Sequence, residues 1–291
     1  MNYLLLALSM TATVVQSTLF NHTSKRTLTT QRRVYAFNVI MYAAGFVLFL
    51  LTALGGSVSG WTLGFGLLFG GVTVVQSVCN LMALARGPMH ITLLITCSSM
   101  VIPSLSGVFL SGEELSVIKP LLILLLIGCI YLSIDRRDST GFKPGWAVFT
   151  GIAFLCQAAV GVMQKVQQSS AYAGETSAFL ASAFLCSLGF AAVMALISKP
   201  APASLESGGK PGWQMTVPAL ICGVCVFLQN DLNLKLSGRL PSQVFFPLVN
   251  GGSLFLCTLA AVVLFREKLT RRQCVGLAGG ILVLAGICLV P

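Results

Sequence analysis

The chain has 291 residues, 56% of them hydrophobic and only 9% charged, with a mean hydropathy of +0.89. A soluble domain carries about 25% charged residues, so this composition excludes one. The net charge of +10 would point to nucleic acid in a soluble protein, but here the basic residues sit between apolar runs. They read as the orientation signal of a chain in a lipid bilayer, and no nucleic-acid partner is expected.

Apolar runs near 20 residues recur along the chain, each able to cross a hydrocarbon core roughly 30 Å thick. The first, residues 2–20, lacks the basic start and small-residue cleavage site of a signal sequence, so it is expected to remain as a helix. A basic loop with Lys25, Arg26, Arg32 and Arg33 leads to span two, 34–54, and a turn at 55–60 leads to span three, 61–85. Arg86, Gly87 and Pro88 break the chain before span four, which runs to residue 111. Glu113, Glu114 and Ser116 introduce span five, 117–134, and the loop 135–143 carries Arg136, Arg137 and Lys143. Span six is 146–165 and span seven 176–197, followed by a Pro/Gly/Ser-rich connection at 198–212. Spans eight (215–236), nine (242–265) and ten (270–290) close the chain.

One stretch is used twice. Residues 61–114 overlay 214–267 without a gap, at an offset of 153. Gly70 then meets Gly223, Gln76 meets Gln229, Asn80 meets Asn233, Leu81 meets Leu234, Arg86 meets Arg239 and Pro88 meets Pro241. The offset equals five helices, so the two copies enter the membrane in opposite directions, an arrangement characteristic of secondary transporters. The expected fold is an all-α membrane protein of ten transmembrane helices built as a 5+5 inverted repeat, with repeats 1–138 and 139–291. The odd-numbered loops hold 14 of the 18 basic residues, which places them in the cytoplasm and both termini outside.

Gln and Asn four residues apart share one helix face. Gln16, Asn38, Gln76, Asn80, Gln157, Gln229, Asn233 and Asn250 all fall within spans. An unpaired amide in hydrocarbon is costly, so each must join another helix or face a watery cavity. The matched set Gln76, Asn80, Gln229 and Asn233 favours one central cavity, and these eight amides are the candidate substrate-binding residues. With the hydroxyls of Thr92, Thr96, Ser98 and Ser99 they suit a polar, hydrogen-bonding small-molecule substrate. Leu81 and Leu234, one position further round, are expected to affect stability before transport.

Charges inside spans are rarer. Asp231 and Lys235 stand four residues apart and should pair. Lys165, flanked by Gln164, Gln167 and Gln168, ends span six and is expected to reach the membrane interface by its long stem, with anion binding as the other role. Glu114, Glu267 and Glu175 precede helices, where a carboxylate complements the positive helix end. Thr270 and Gln273 form a capping box. His90 is expected at the interface and His22 in a loop. Gly60/Gly64, Gly66/Gly70 and Gly276/Gly280 permit close helix contact, on span ten between halves or protomers. The ten cysteines are dispersed in apolar segments and read as packing; Cys222 and Cys225 lack the second pair that a zinc site needs.

Arg86-Gly87-Pro88 opening one helix and Gly112-Glu113-Glu114-Leu115-Ser116 opening the next resemble the drug/metabolite transporter superfamily. The run from Phe265 to Thr270, followed by Gly276, Gly279, Gly280 and Gly286, is similar to its EamA-type ten-helix branch. The resemblance covers essentially the whole chain. It implies a 5+5 inverted repeat, alternating access and a cavity lined by the first four helices of each half. Two features depart from it: members usually keep both termini in the cytoplasm, and the small multidrug-resistance relatives carry a first-helix glutamate where this chain has Gln16. The expected function is therefore transport of a small polar metabolite across a cell membrane, most simply a bacterial plasma membrane, by a monomer or homodimer with no cofactor. A multidrug or cation exporter of the same fold is the near alternative. A membrane enzyme acting on a lipid-linked substrate finds no motif in its support, and a multi-span scaffold or receptor would need no inverted repeat.

Overall fold

The computed structural model describes residues 2–28, 30–84, 86–87, 89–113, 118–133, 144–198, 212–265 and 269–289. All regular structure among them is helical. Nine stretches are long and apolar enough to cross a membrane, and a tenth, Ile118–Ser133, is apolar but shorter at 16 residues. The chain has the make-up of an all-helical, multi-pass membrane protein.

The helices are α1 (Asn2–Arg26), α2 (Gln31–Ala53), α3 (Gly60–Leu84), α4 (Met89–Ser98), α5 (Val101–Ser111) and α6 (Ile118–Ser133). After them come α7 (Trp146–Ser169), α8 (Thr176–Ile197), α9 (Trp213–Ser237), α10 (Ser242–Pro247), α11 (Ser253–Phe265) and α12 (Arg271–Leu289). Glu114, Glu267, the loop 135–143 and most of 198–212 lie outside the described residues, as does the side chain of His90.

Two apolar runs are interrupted. The fourth divides into α4 and α5 at Ser99–Met100. Pro103 sits in the first turn of α5, where its missing N–H breaks no helical bond. The ninth passes from α10 through a π-helical turn, Leu248–Gly252, into α11. Pro247 ends α10, and the absence of its N–H from the ladder accounts for the wider turn there. At the offset of 153, Ser99–Met100 corresponds to Gly252–Ser253, the junction where the π turn ends. The helix interruptions therefore coincide with the sequence repeat.

The described chain forms two compact units. The first comprises Met1–Leu6, Val75–Ala173 and Asn233–Pro291; the second comprises Ala7–Val74 and Gly174–Leu232. Each draws on residues from both sides of position 138.

In the second unit α2 packs along α8. The phenyl rings of Phe49 and Phe184 stand 5.0 Å apart, and Phe227 closes on Phe49 at 4.6 Å. Two repeat-matched glycines set the backbone spacing. A Cβ on Gly70 of α3 would lie 2.6 Å from the Ala183 carbonyl oxygen of α8. A Cβ on Gly223 of α9 would lie 2.7 Å from Ala44 Cβ and 2.8 Å from the Met41 carbonyl oxygen of α2. α3 thus lies against α8, and α9 against α2. Glu175 does not cap its own helix, α8. Its carboxylate instead accepts from the Ser59 N–H at 2.9 Å and the Ser59 hydroxyl at 2.8 Å, ahead of α3.

In the first unit α6 packs along α12. Gly276 allows the approach, since a Cβ there would lie 2.7 Å from the Cys129 carbonyl oxygen. Gly276 thus seats α12 on α6, whereas Gly280 faces the Phe255 ring of the neighbouring α11. Thr270 and Gln273 form the expected capping box: the Thr270 N–H donates to Gln273 Oε1 at 2.9 Å, and the Gln273 N–H donates to Thr270 Oγ1 at 3.3 Å. None of the ten cysteines forms a disulfide.

The matched leucines part company. Leu234 is fully buried, whereas Leu81 is 63% exposed. The expectation that both govern stability is therefore corrected: repeat-related positions share a register without sharing neighbours. Leu234→Ala should cost about 2–5 kcal/mol, the range for emptying a core leucine site, and Leu81→Ala less than about 0.5 kcal/mol. Thermal unfolding of the detergent-solubilised variants would check this, and equal losses would refute it.

Candidate functional site

The first unit encloses a cavity of about 150 Å³ at the two helix interruptions. Ser99, Met100 and Pro103 line it from the α4–α5 break, and Val249 and Asn250 line it from the π turn. Phe245 and Phe246 of α10 form an aromatic wall, their ring centroids 5.0 Å apart at 72°. On α7, Gln157, Gly161 and Gln164 follow at helical spacing and share the cavity face. Gly161 is where α7 meets α5: a Cβ there would fall 2.7 Å from Pro103 Cβ. The cavity's lining also includes Asn233, near the end of α9.

The hydrogen-bonding state of these amides is informative. Asn250 donates back to the Phe246 carbonyl oxygen at 3.0 Å, and Asn233 is likewise engaged. Gln157 and Gln164 make no hydrogen bond with any described residue. Two amides without partners among the described residues, facing the same cavity, offer donors and acceptors to whatever enters it.

A second cavity, also about 150 Å³, lies in the second unit and is lined by Gln16, Tyr42, Phe69, Thr73, Ser187 and Asn230 among others. Apart from the Tyr42 hydroxyl, its polar groups are already committed. Thr73 donates to the Phe69 carbonyl at 2.8 Å, Ser187 to that of Ala183 at 3.3 Å and Asn230 to that of Val226 at 2.8 Å. Gln16 accepts from Gln229, whose Oε1 accepts from the Thr13 hydroxyl at 2.6 Å. Here amides join helices. The first cavity is the candidate site.

Of the eight candidate amides, the structure thus brings Gln157, Asn233 and Asn250 together and pairs Gln16 with Gln229. Asn38, Gln76 and Asn80 line neither of these two cavities. Gln76 accepts from the Ser77 hydroxyl at 3.4 Å, and the buried Oδ1 of Asn80 has no hydrogen-bond partner among the described residues. Among the hydroxyls, Ser99 alone lies on the cavity; Thr96 and Ser98 bond back to their own helix, and Thr92 accepts from the Trp146 indole at 2.9 Å. Sequence reasoning missed Gln164, Phe245 and Phe246. Their signal was their helical spacing from Gln157 and their nearness to Pro247.

Lys165 corrects an expectation. It does not reach an interface: it is 4% exposed and forms an ion pair with Glu113. Its ammonium also donates to the Ser237 carbonyl oxygen at 3.1 Å, at the end of α9. Glu113 accepts in turn from the Ser242 N–H at 2.7 Å and the Ser242 hydroxyl at 3.0 Å. The N-cap of α10 is Pro241, whose side chain cannot accept, so Glu113 supplies the missing cap from just beyond the end of α5. One ion pair thereby ties α5, α7, α9 and α10 beside the cavity.

No family model matches the chain, and no curated protein does. Among solved structures, a crystal structure described simply as that of a protein is similar over 98% of this chain and 96% of its own. The TM-score is 0.72 at 19% sequence identity, so the fold is shared nearly from end to end.

Proposed function

We propose that this protein is a secondary transporter that moves a small polar organic solute across a cell membrane by alternating access, without chemical conversion. Ten crossings form a 5+5 inverted repeat in the manner of the EamA-type transporters the sequence resembles, but with both termini outside, as the basic loops direct. The observation that carries the reading is the cavity at two repeat-matched helix interruptions, with Gln157 and Gln164 left without partners among the described residues. Interrupted helices at repeat-related positions are a recurrent way to build a transporter's substrate site. The reciprocal approach of Gly70 to α8 and Gly223 to α2 supports the two-fold relation between the halves. The cavity lining contains no carboxylate, histidine, lysine or cysteine to act as acid, base or nucleophile, which favours carriage over an enzyme on a lipid-linked substrate.

Purified protein in liposomes, challenged with pooled metabolites under imposed pH and Na⁺ gradients, should accumulate or exchange a defined solute. Gln157→Ala and Gln164→Ala should each weaken its apparent affinity by up to about tenfold, the effect of losing about 0.5–1.5 kcal/mol of hydrogen bonding. Their melting temperatures should stay near the parent's. Undiminished transport in both variants would sink the assignment of this cavity.

A further inference from the structure

Resting on the transport reading, we propose that the solute is an uncharged, pyrimidine-sized heterocycle carrying a hydrogen-bond donor beside an acceptor, the edge chemistry of a nucleobase. Four properties of the cavity converge on this class.

The first is charge. The lining holds no ionisable side chain, only amides, one hydroxyl and apolar groups. Lys165, next in sequence to Gln164, is committed to Glu113 and to the Ser237 carbonyl oxygen. A zwitterionic amino acid or a phosphate would leave water with no counter-charge in the lining, at a cost of many kcal/mol. The occupant is neutral.

The second is hydrogen-bond pattern. A carboxamide presents a donor and an acceptor side by side in one plane. It therefore pairs bidentately with a planar edge that carries the complementary acceptor and donor, as glutamine and asparagine do with adenine. Gln157 and Gln164 are two such groups, both without partners among the described residues and two turns apart on one face of α7. A uracil or cytosine ring has adjacent donor and acceptor positions on its rim.

The third is the wall between these groups. Phe245 and Phe246, with Met100 and Pro103, present flat or apolar surface. Phenyl faces suit stacking of a flat heteroaromatic ring. A sugar would bring hydroxyls all round and leave most of them facing hydrocarbon. The fourth is volume: about 150 Å³ is the size of an engineered protein cavity known to take one benzene. One six-membered ring fills that space, and the sugar of a nucleoside would have to project from it.

The test is counterflow of radiolabelled uracil in proteoliposomes of the full-length protein, with competitors added outside. Uracil should exchange saturably, and cytosine and thymine should compete. Uridine and phenylalanine should not. N,N′-dimethyluracil, whose two added methyl groups replace both N–H hydrogens, should compete at least tenfold more weakly than thymine, whose added methyl leaves both donors in place. Gln157→Ala and Gln164→Ala should each raise the half-saturating uracil concentration, with melting temperatures unchanged. Exchange of amino acids or sugars from the pooled panel, without exchange of uracil, cytosine or thymine, would overturn the ligand class and leave transport standing. No exchange of any solute would overturn the transport reading itself. Equal competition by uracil and its dimethyl derivative would show that the amide edge is not read, and would also overturn the proposal.

Discussion

Replacing Lys165 with methionine is expected to destabilise the protein by about 3–5 kcal/mol, the range seen when one partner of a buried ion pair is removed. The Glu113 carboxylate would remain largely shielded, its side chain 14% exposed, with only the Ser242 donors to hold its charge. Glu113→Gln should cost less than Lys165→Met in capping, because glutamine keeps an acceptor for the Ser242 N–H, but it leaves the ammonium uncompensated. The double variant should be milder than the sum of the two, since no unpaired charge remains. Thermal unfolding of the solubilised protein measures all three. A double variant as damaged as the summed singles would show that the two side chains act independently.

The second large effect is expected at neighbouring glycines with opposite outcomes. At Gly70 an added methyl would meet the Ala183 carbonyl oxygen at 2.6 Å and Ala183 Cα at 2.9 Å, both backbone atoms that cannot rotate away. Gly70→Ala should therefore push α3 off α8 and cost about 1–3 kcal/mol or more. Gly223→Ala faces Ala44 and Met41 of α2 in the same way and should behave alike. Gly71, one position on, has nothing within 4 Å of its Cβ site. There the same substitution should be neutral or stabilising by up to about 1 kcal/mol, the helix-propensity difference between the two residues. Melting temperatures would decide it. If Gly70→Ala and Gly71→Ala moved together, close backbone approach would not be what these glycines provide.

Most helix boundaries were legible in the sequence because the chain punctuates them. Gly55–Gly60 before span three and Arg86-Gly87-Pro88 after it bracket α3, which runs Gly60–Leu84 against an expected 61–85. Hydropathy says nothing about backbone hydrogen bonding, so spans four and nine read as single helices although each is interrupted. Pro103 and Pro247 were the local signs. The amide pair on α9 was legible as a polar feature, but its division was not. Gln229 joins Gln16 and Thr13 in the second unit, while Asn233 lines the cavity of the first. The turn of helix between the two residues is where the chain passes from one unit to the other. The pairing of Lys165 with Glu113 spans 52 residues and several helices, and no periodicity encodes it. A repeat fixes register, and tertiary packing decides which copy of a residue is buried, as Leu81 and Leu234 show.

The interleaving of the two compact units has a consequence for biosynthesis. When residue 173 leaves the ribosome, neither unit can close: the first still lacks Asn233–Pro291, and the second still lacks Gly174–Leu232. The first six spans must therefore wait in the bilayer with their packing faces open to lipid, and with Gly70 awaiting α8. Long-range closure of this kind is slow and leaves nascent chains exposed to proteolysis. A nascent chain halted at residue 138 has not reached α8, so Gly70 has no packing partner; it should be cleared by membrane proteases rather than accumulate as a half-sized folded product.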